Sequence, residues 1–152
     1  YRRSMLDEVR LPTGFLDRTY FMYAEDLDLG WRCRLAGWRA WYAPEAVVHH
    51  AFQGSSRRHG PNFVVLQCMK NRWRTLLKNA SVGFLLRSLP TSLSDAAVLL
   101  RWNGPAILPR AARGSLEMLR LRPEVRCRTR VAPRSVEQQW SFSRKDPRIG
   151  SR

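Results

Sequence analysis

Apolar and polar positions change their rhythm along the chain. Residues Met5 to Pro12 read as a short helix, stopped because the residue before a proline is driven out of the helical region. Thr13-Gly14 then marks a turn, and Phe15-Leu16-Asp17 leads into an aromatic patch, Tyr20-Phe21-Met22-Tyr23. From Asp26 onward Leu27, Trp31 and Leu35 recur at i, i+4 and i+8, one face of a helix, with Gly37 placed to end it in a left-handed cap. The aromatic run Trp38 to Ala43, closed by Pro44, predicts a strand, and Ala46-Val47-Val48-His49 a second. Gln53 to Gly60 is a polar loop.

Beyond Pro61 the period becomes helical. Phe63, Leu66, Met69/Lys70, Trp73 and Leu77 share a stripe, and Phe84 to Trp102 is apolar until Gly104-Pro105 and Pro109 break it. Leu108 to Leu121 has the pattern of a basic amphipathic helix, and an arginine-rich tail starts at Arg122. The expected class is therefore α/β, with an α/β part over residues 1–60 and a mostly helical, basic extension over residues 61–152.

Composition adds a sharp asymmetry. Hydrophobic residues make up 44% and charged residues 26%, proportions that suit a folded chain rather than a disordered one. The net charge is +15, and its location matters more than its size. Residues 1–60 carry nine Lys and Arg against seven Asp and Glu, whereas residues 61–152 carry eighteen against five. A basic second part suits a polyanionic partner, either a lipid headgroup surface or nucleic acid. Only Lys70, Lys78 and Lys145 are lysines, so a general preference for arginine accounts for part of the excess. Cys33, Cys68 and Cys127 form no CxxC pair, which argues against a zinc site or disulfide framework and fits a reducing, cytoplasmic setting. The best apolar stretch, residues 84–100, is interrupted by Arg87, Pro90 and Asp95 and falls short of the roughly 20 apolar residues a membrane span needs.

The acidic cluster Glu25, Asp26 and Asp28 admits two readings. Acidic residues are favoured at a helix start, where Asp26 would cap and the helix dipole contributes about 0.3–1 kcal/mol. Alternatively, one carboxylate faces a cleft and takes a proton from an acceptor hydroxyl. Phe21, Tyr23, Trp38 and Trp41 suit the faces of sugars, although such aromatics more often belong to a core.

The order of the neighbouring motifs separates these readings. Gly14-Phe15-Leu16-Asp17, Tyr20-Phe21-Met22-Tyr23-Ala24-Glu25-Asp26-Leu27-Asp28-Leu29, Trp31-Arg32, Leu35-Ala36-Gly37-Trp38 and Tyr42-Ala43-Pro44-Glu45-Ala46-Val47-Val48-His49-His50 follow one another in fixed sequence. This run resembles the acceptor half of family 2 glycosyltransferases, especially their rhamnosyltransferase-like bacterial members. The resemblance implies a GT-A fold and metal-assisted transfer from a nucleotide-sugar donor to a glycan or lipid-linked acceptor, with inversion. It implies Asp26 as general base with Glu25 beside it at the acceptor site, and Gly14, Phe15, Tyr23 and Trp38 as acceptor-binding residues. Asp28 is then structural, capping the helix or pairing with Arg32. His50, with His49 in reserve, takes the place of the histidine that helps hold a divalent cation, Mg²⁺ or Mn²⁺, and the diphosphate.

The resemblance also leaves something unfilled. No Asp-x-Asp donor motif precedes the acceptor region, since Asp26-Leu27-Asp28 lies inside the base motif. The chain opens on Tyr1-Arg2-Arg3, so the expectation is a piece of a longer protein, inactive in sugar transfer by itself. Lys70-Asn71-Arg72 with Leu76-Leu77-Lys78-Asn79, and Arg126 to Val131 followed by Ser135 and Trp140, match the family's later segments loosely. Helices with arginine on one face and Leu, Phe or Trp on another suit an anionic membrane surface, on the inner face of the plasma membrane, and equally suit packing on a catalytic domain. A nucleic-acid binder has the basic charge and Trp73, Trp102 and Trp140 in its favour but no recognition motif. An inactive remnant is the third option.

Overall fold

The computed structural model describes residues 1–49 and 59–140. Seven α-helices are present among them: α1 (Arg3–Glu8), α2 (Glu25–Leu35), α3 (Pro61–Asn79), α4 (Val82–Asn103), α5 (Ile107–Leu116), α6 (Arg122–Arg126) and α7 (Pro133–Trp140). Two 3₁₀ segments, Arg18–Tyr20 and Glu117–Leu121, complete the elements.

The α/β expectation is overturned, and with it the GT-A half assigned to residues 1–60, because the described residues contain no strand. Residues 38–49, the place of both expected strands, run without ladder pairing, with Trp41 84% and Tyr42 90% exposed. The reason is physical: an aromatic run becomes a strand only where a neighbouring strand satisfies its backbone, and none among the described residues does so. What remains of β structure is one antiparallel bridge between Leu11 and Gly14. Its two backbone hydrogen bonds, 3.2 and 2.9 Å, close a tight turn.

The helix that starts at the acidic cluster forms as its pattern predicts and ends where Gly37 allows. Gly37 takes φ +91°, with its N–H on the Arg34 carbonyl at 3.1 Å and the Trp38 N–H on that of Cys33 at 2.9 Å. That pair of bonds is a Schellman cap, and the backbone it needs is one glycine adopts at little cost.

α3 is turned relative to its expected stripe. Phe63, Leu66, Met69, Trp73 and Leu77 are only half-buried, whereas Gln67, Asn71, Thr75, Lys78 and Asn79 are buried. Pro61 starts the helix at the position where its missing N–H costs nothing. The polar stripe turns inward because polar groups wait there. Lys78 Nζ lies 2.7 Å from Asp17 and 3.0 Å from Asp28, with all three side chains sealed from solvent. Asp28 also accepts from Arg32 Nε at 3.0 Å and from Asn79 Nδ2 at 2.8 Å. Two carboxylates thus face two cations in a dry interior.

Apolar packing surrounds this network on two sides. Met5, Val9, Leu29, Cys33 and Ala36 seal α1 to α2. Leu11, Trp31 and Leu35 join Leu76, Ala80, Val125 and Val136 in a second cluster that spans both parts of the chain. Polar ties reinforce it. The N–H groups of Arg130 and Val131 donate to the Leu35 carbonyl at 2.8 and 3.0 Å, and Arg122 donates to the Leu77 carbonyl at 2.6 Å. These bonds use carbonyls that a helix C-terminus leaves free.

Removing Lys78 leaves two buried carboxylates without their shared cation, a loss that ordinarily costs about 3–5 kcal/mol. Lys78→Met is expected to lower unfolding free energy by about that amount in urea titrations; a change under about 1 kcal/mol contradicts the network's role. Burial raises the Asp17 pKa, but the Lys78 charge and the hydrogen bonds from Lys78 and Thr19 outweigh it and hold the group below its usual value. The sign follows: this stabilisation is present above the ordinary carboxylate range and is lost as pH falls through it toward the folded pKa. The stability of Asp17→Asn should therefore depend less on pH in the acid range than that of the parent chain.

Candidate active site at the start of α2

The turn that delivers α2 is strained. Phe21, Tyr23 and Ala24 have φ of 64°, 69° and 64°, a region that side chains with a Cβ rarely occupy. Such residues cost of order 1–3 kcal/mol each and persist only where the surroundings impose them. Here a single side chain imposes much of it: Asn71 Nδ2 donates to the carbonyls of Tyr20, Met22 and Tyr23 at 3.0, 2.7 and 2.9 Å. One turn further along α3, the Thr75 hydroxyl lies 2.9 Å from the Tyr20 hydroxyl. Burial, then the Asp28 charge, pushes the Tyr20 pKa up, so the phenol stays neutral. Arg74 holds the Thr19 carbonyl and, at 3.1 Å, that of Gly114.

The strained turn fixes where three carboxylates go. Ala24, not Asp26, occupies the N-cap and contributes no side-chain cap, so Asp26 does not serve as the cap. Asp26 lies inside the first turn, exposed, with one oxygen accepting from the Leu27 N–H at 2.7 Å. Glu25 is half-buried, and its Oε2 is shielded from solvent with no hydrogen-bond partner among the described residues. Asp28 is sealed from solvent, with three of the roughly four lone-pair sites of its carboxylate taken by Lys78, Arg32 and Asn79. A carboxylate so buried and paired is out of a substrate's reach. The exposed one, Asp26, lies within the field of the helix N-terminus.

The four residues assigned to acceptor binding are not gathered in one place. Gly14 has φ +115°, and a Cβ there would meet the Leu16 carbonyl at 3.0 Å. It lines a groove of about 500 Å³ with Phe15, whose ring lies under the Arg10 guanidinium at 4.9 Å. Trp38 donates to Glu8 at 2.8 Å and lines a separate groove of about 760 Å³ with Arg34, Arg39 and Trp41. Tyr23 is half-buried in the Asn71-held turn. Neither groove is lined by Asp26. Phe21, pointing outward, meets His59 and Phe63 edge-on at 6.2 Å, and those two rings stack at 4.3 Å.

His49 is exposed, and His50 lies outside the described residues. Among the described residues no group of three or more His, Cys, Asp or Glu could hold a metal ion.

Sequence reading missed the supporting residues. Asp17 stands in the glycine-phenylalanine-leucine-aspartate motif without a role, and Lys70-Asn71-Arg72 with Leu76-Leu77-Lys78-Asn79 is only a loose match. The signal was present as a polar stripe on a helix: Asn71, Thr75, Lys78 and Asn79 recur at i, i+4, i+7 and i+8.

Comparison with known proteins relates part of the chain to a glycosyltransferase. A stretch of 57 residues is 46% identical to N-acetylglucosaminyl-diphospho-decaprenol L-rhamnosyltransferase of Mycobacterium tuberculosis, strain CDC 1551 / Oshkosh. The same enzyme of strain ATCC 25618 / H37Rv matches equally. The match covers 37% of this chain and only 17% of each relative's length. No family model matches the chain, and no solved structure does.

Asn71→Ala is expected to free residues 21–24, speeding amide exchange there and costing about 1–3 kcal/mol. Ala24→Gly should be tolerated, since glycine accepts φ 64°, while Ala24→Val should destabilise by about 1–2 kcal/mol. Equal stability of the two Ala24 variants in thermal melts would count against an imposed turn.

Proposed function

We propose that this chain supplies the acceptor side of an inverting family 2 glycosyltransferase, with Asp26 as general base. The relatives' name guides the choice of substrates: a rhamnosyl group from a nucleotide sugar, and an N-acetylglucosamine carried on a lipid diphosphate, or a related glycan. The observation that carries the reading is the division of labour within one helical turn. Asp28 is locked in a buried ion network, Asp26 is exposed, and Asn71 and the network hold the turn that sets both.

The chemistry follows from that arrangement. The Asp26 carboxylate takes the proton of an acceptor hydroxyl as its oxygen bonds to the anomeric carbon. The bond from that carbon to the nucleotide diphosphate breaks on the opposite face, carrying its electron pair away and inverting the centre. Glu25, next to Asp26, helps orient the acceptor. Peripheral action at the inner face of the plasma membrane suits a lipid-linked acceptor. Among the described residues no helix is long and apolar enough to cross a membrane.

In the full-length protein, Asp26→Asn is expected to lower kcat by about 10²–10⁴, the range of general-base catalysis, with nucleotide-sugar affinity and thermal stability unchanged. Asp28→Asn should instead lower stability first. Near-normal turnover in the Asp26→Asn enzyme would sink the assignment.

A further inference from the structure

α4 carries a feature that sugar transfer does not use. An apolar stripe runs the length of its outward side: Val82, Leu86, Leu89, Leu93, Ala97 and Leu100 recur every three or four residues, the spacing of one helical face. Val82, Leu86 and Leu93 are 63%, 61% and 68% exposed, respectively. At about 1.5 Å per residue the 22 residues of the helix extend roughly 33 Å. The opposite side is tied down, with Phe84 edge-on to Trp31 at 5.8 Å and Asp95 buried against Arg72 at 2.8 Å. Among the described residues the stripe is therefore the face left over once the helix is docked.

The charges beside the stripe have one sign. Asp95 is the helix's sole acid and is buried, so the exposed charges of α4 are Arg87 and Arg101. The following segment exposes Leu116 and Leu119 with Arg110, Arg113 and Arg120 against one exposed acid, Glu117. The geometry points to an anionic lipid bilayer as the occupant of this face, with α4 lying in the interface and its leucines seated among the acyl chains. A second copy of the chain fits less well, since its own face would bring arginines against arginines with no exposed acid on α4 to answer them. A surface of anionic headgroups supplies both an apolar layer and the opposite charge. No helix of the described residues is apolar enough to cross, so α4 lies on the membrane rather than through it. This stands on the exposure and charge of α4 and does not require the sugar-transfer reading.

The test is flotation of the 152-residue chain with vesicles of phosphatidylcholine alone or with about 30% phosphatidylglycerol, at low and high salt. Binding is expected to the anionic vesicles and to weaken with salt, each arginine contributing about fivefold. Leu86→Asp with Leu93→Asp, at exposed positions that leave the helical circular-dichroism spectrum unchanged, should reduce binding about tenfold or more. Arg87→Glu with Arg101→Glu should remove much of the salt dependence. Failure to float, equal binding to neutral vesicles, or unchanged binding by the leucine double variant would overturn the proposal. So would a concentration-dependent dimer, seen by sedimentation and abolished by the leucine changes, in a chain that does not float.

Discussion

Lys78 sits out of contact with water between the carboxylates of Asp17 and Asp28, at 2.7 and 3.0 Å, and the neighbouring elements take their positions from it. Burying three charges is costly unless each finds its partners, and here each does. Asp17 also caps the short 3₁₀ segment through the Thr19 N–H at 3.1 Å, and Asp28 is tied to Arg32 one turn along α2. Arg32 in turn holds the Phe15 carbonyl at 2.6 Å and that of Val9. The loop before α2, α2 itself and α3 are thereby fixed to one another by charge before apolar packing adds its share.

The placement of the carboxylates at the start of α2 depends on that constraint. A helix that begins with Glu25, Asp26 and Asp28 concentrates negative charge, which the dipole alone offsets only in part. Taking Asp28 into the interior and pairing it removes one of these charges from the surface and leaves Asp26 exposed. Asn71 completes the arrangement by collecting three carbonyls of a turn whose dihedrals are individually unfavourable. The buried, paired carboxylate and the exposed one are two residues apart, as the 100° step of a helix allows.

Much of this was legible in the sequence and some of it was not. The period of Leu27, Trp31 and Leu35, and the glycine at position 37, located α2 and its end because both signals are local. The strands expected at residues 38–49 failed for a non-local reason: a strand is made by its neighbour, and composition cannot say whether the neighbour is there. The rotation of α3 failed differently. Hydrophobic periodicity assumes that apolar residues choose the buried face, and in α3 the buried charges of other segments chose it instead. Asp26 was visible through the order of its surrounding motifs, whereas Asn71 and Lys78 acquire meaning only from groups roughly 50 to 60 residues earlier in the chain.

The most direct measurement is the structure of the full-length protein with its acceptor bound. With Asp26 as the base, the reactive hydroxyl is expected within hydrogen-bond reach of its carboxylate, about 2.6–3.2 Å, while Lys78 remains between Asp17 and Asp28. An acceptor hydroxyl on Asp28, with that carboxylate released from Lys78 and Arg32, would contradict it.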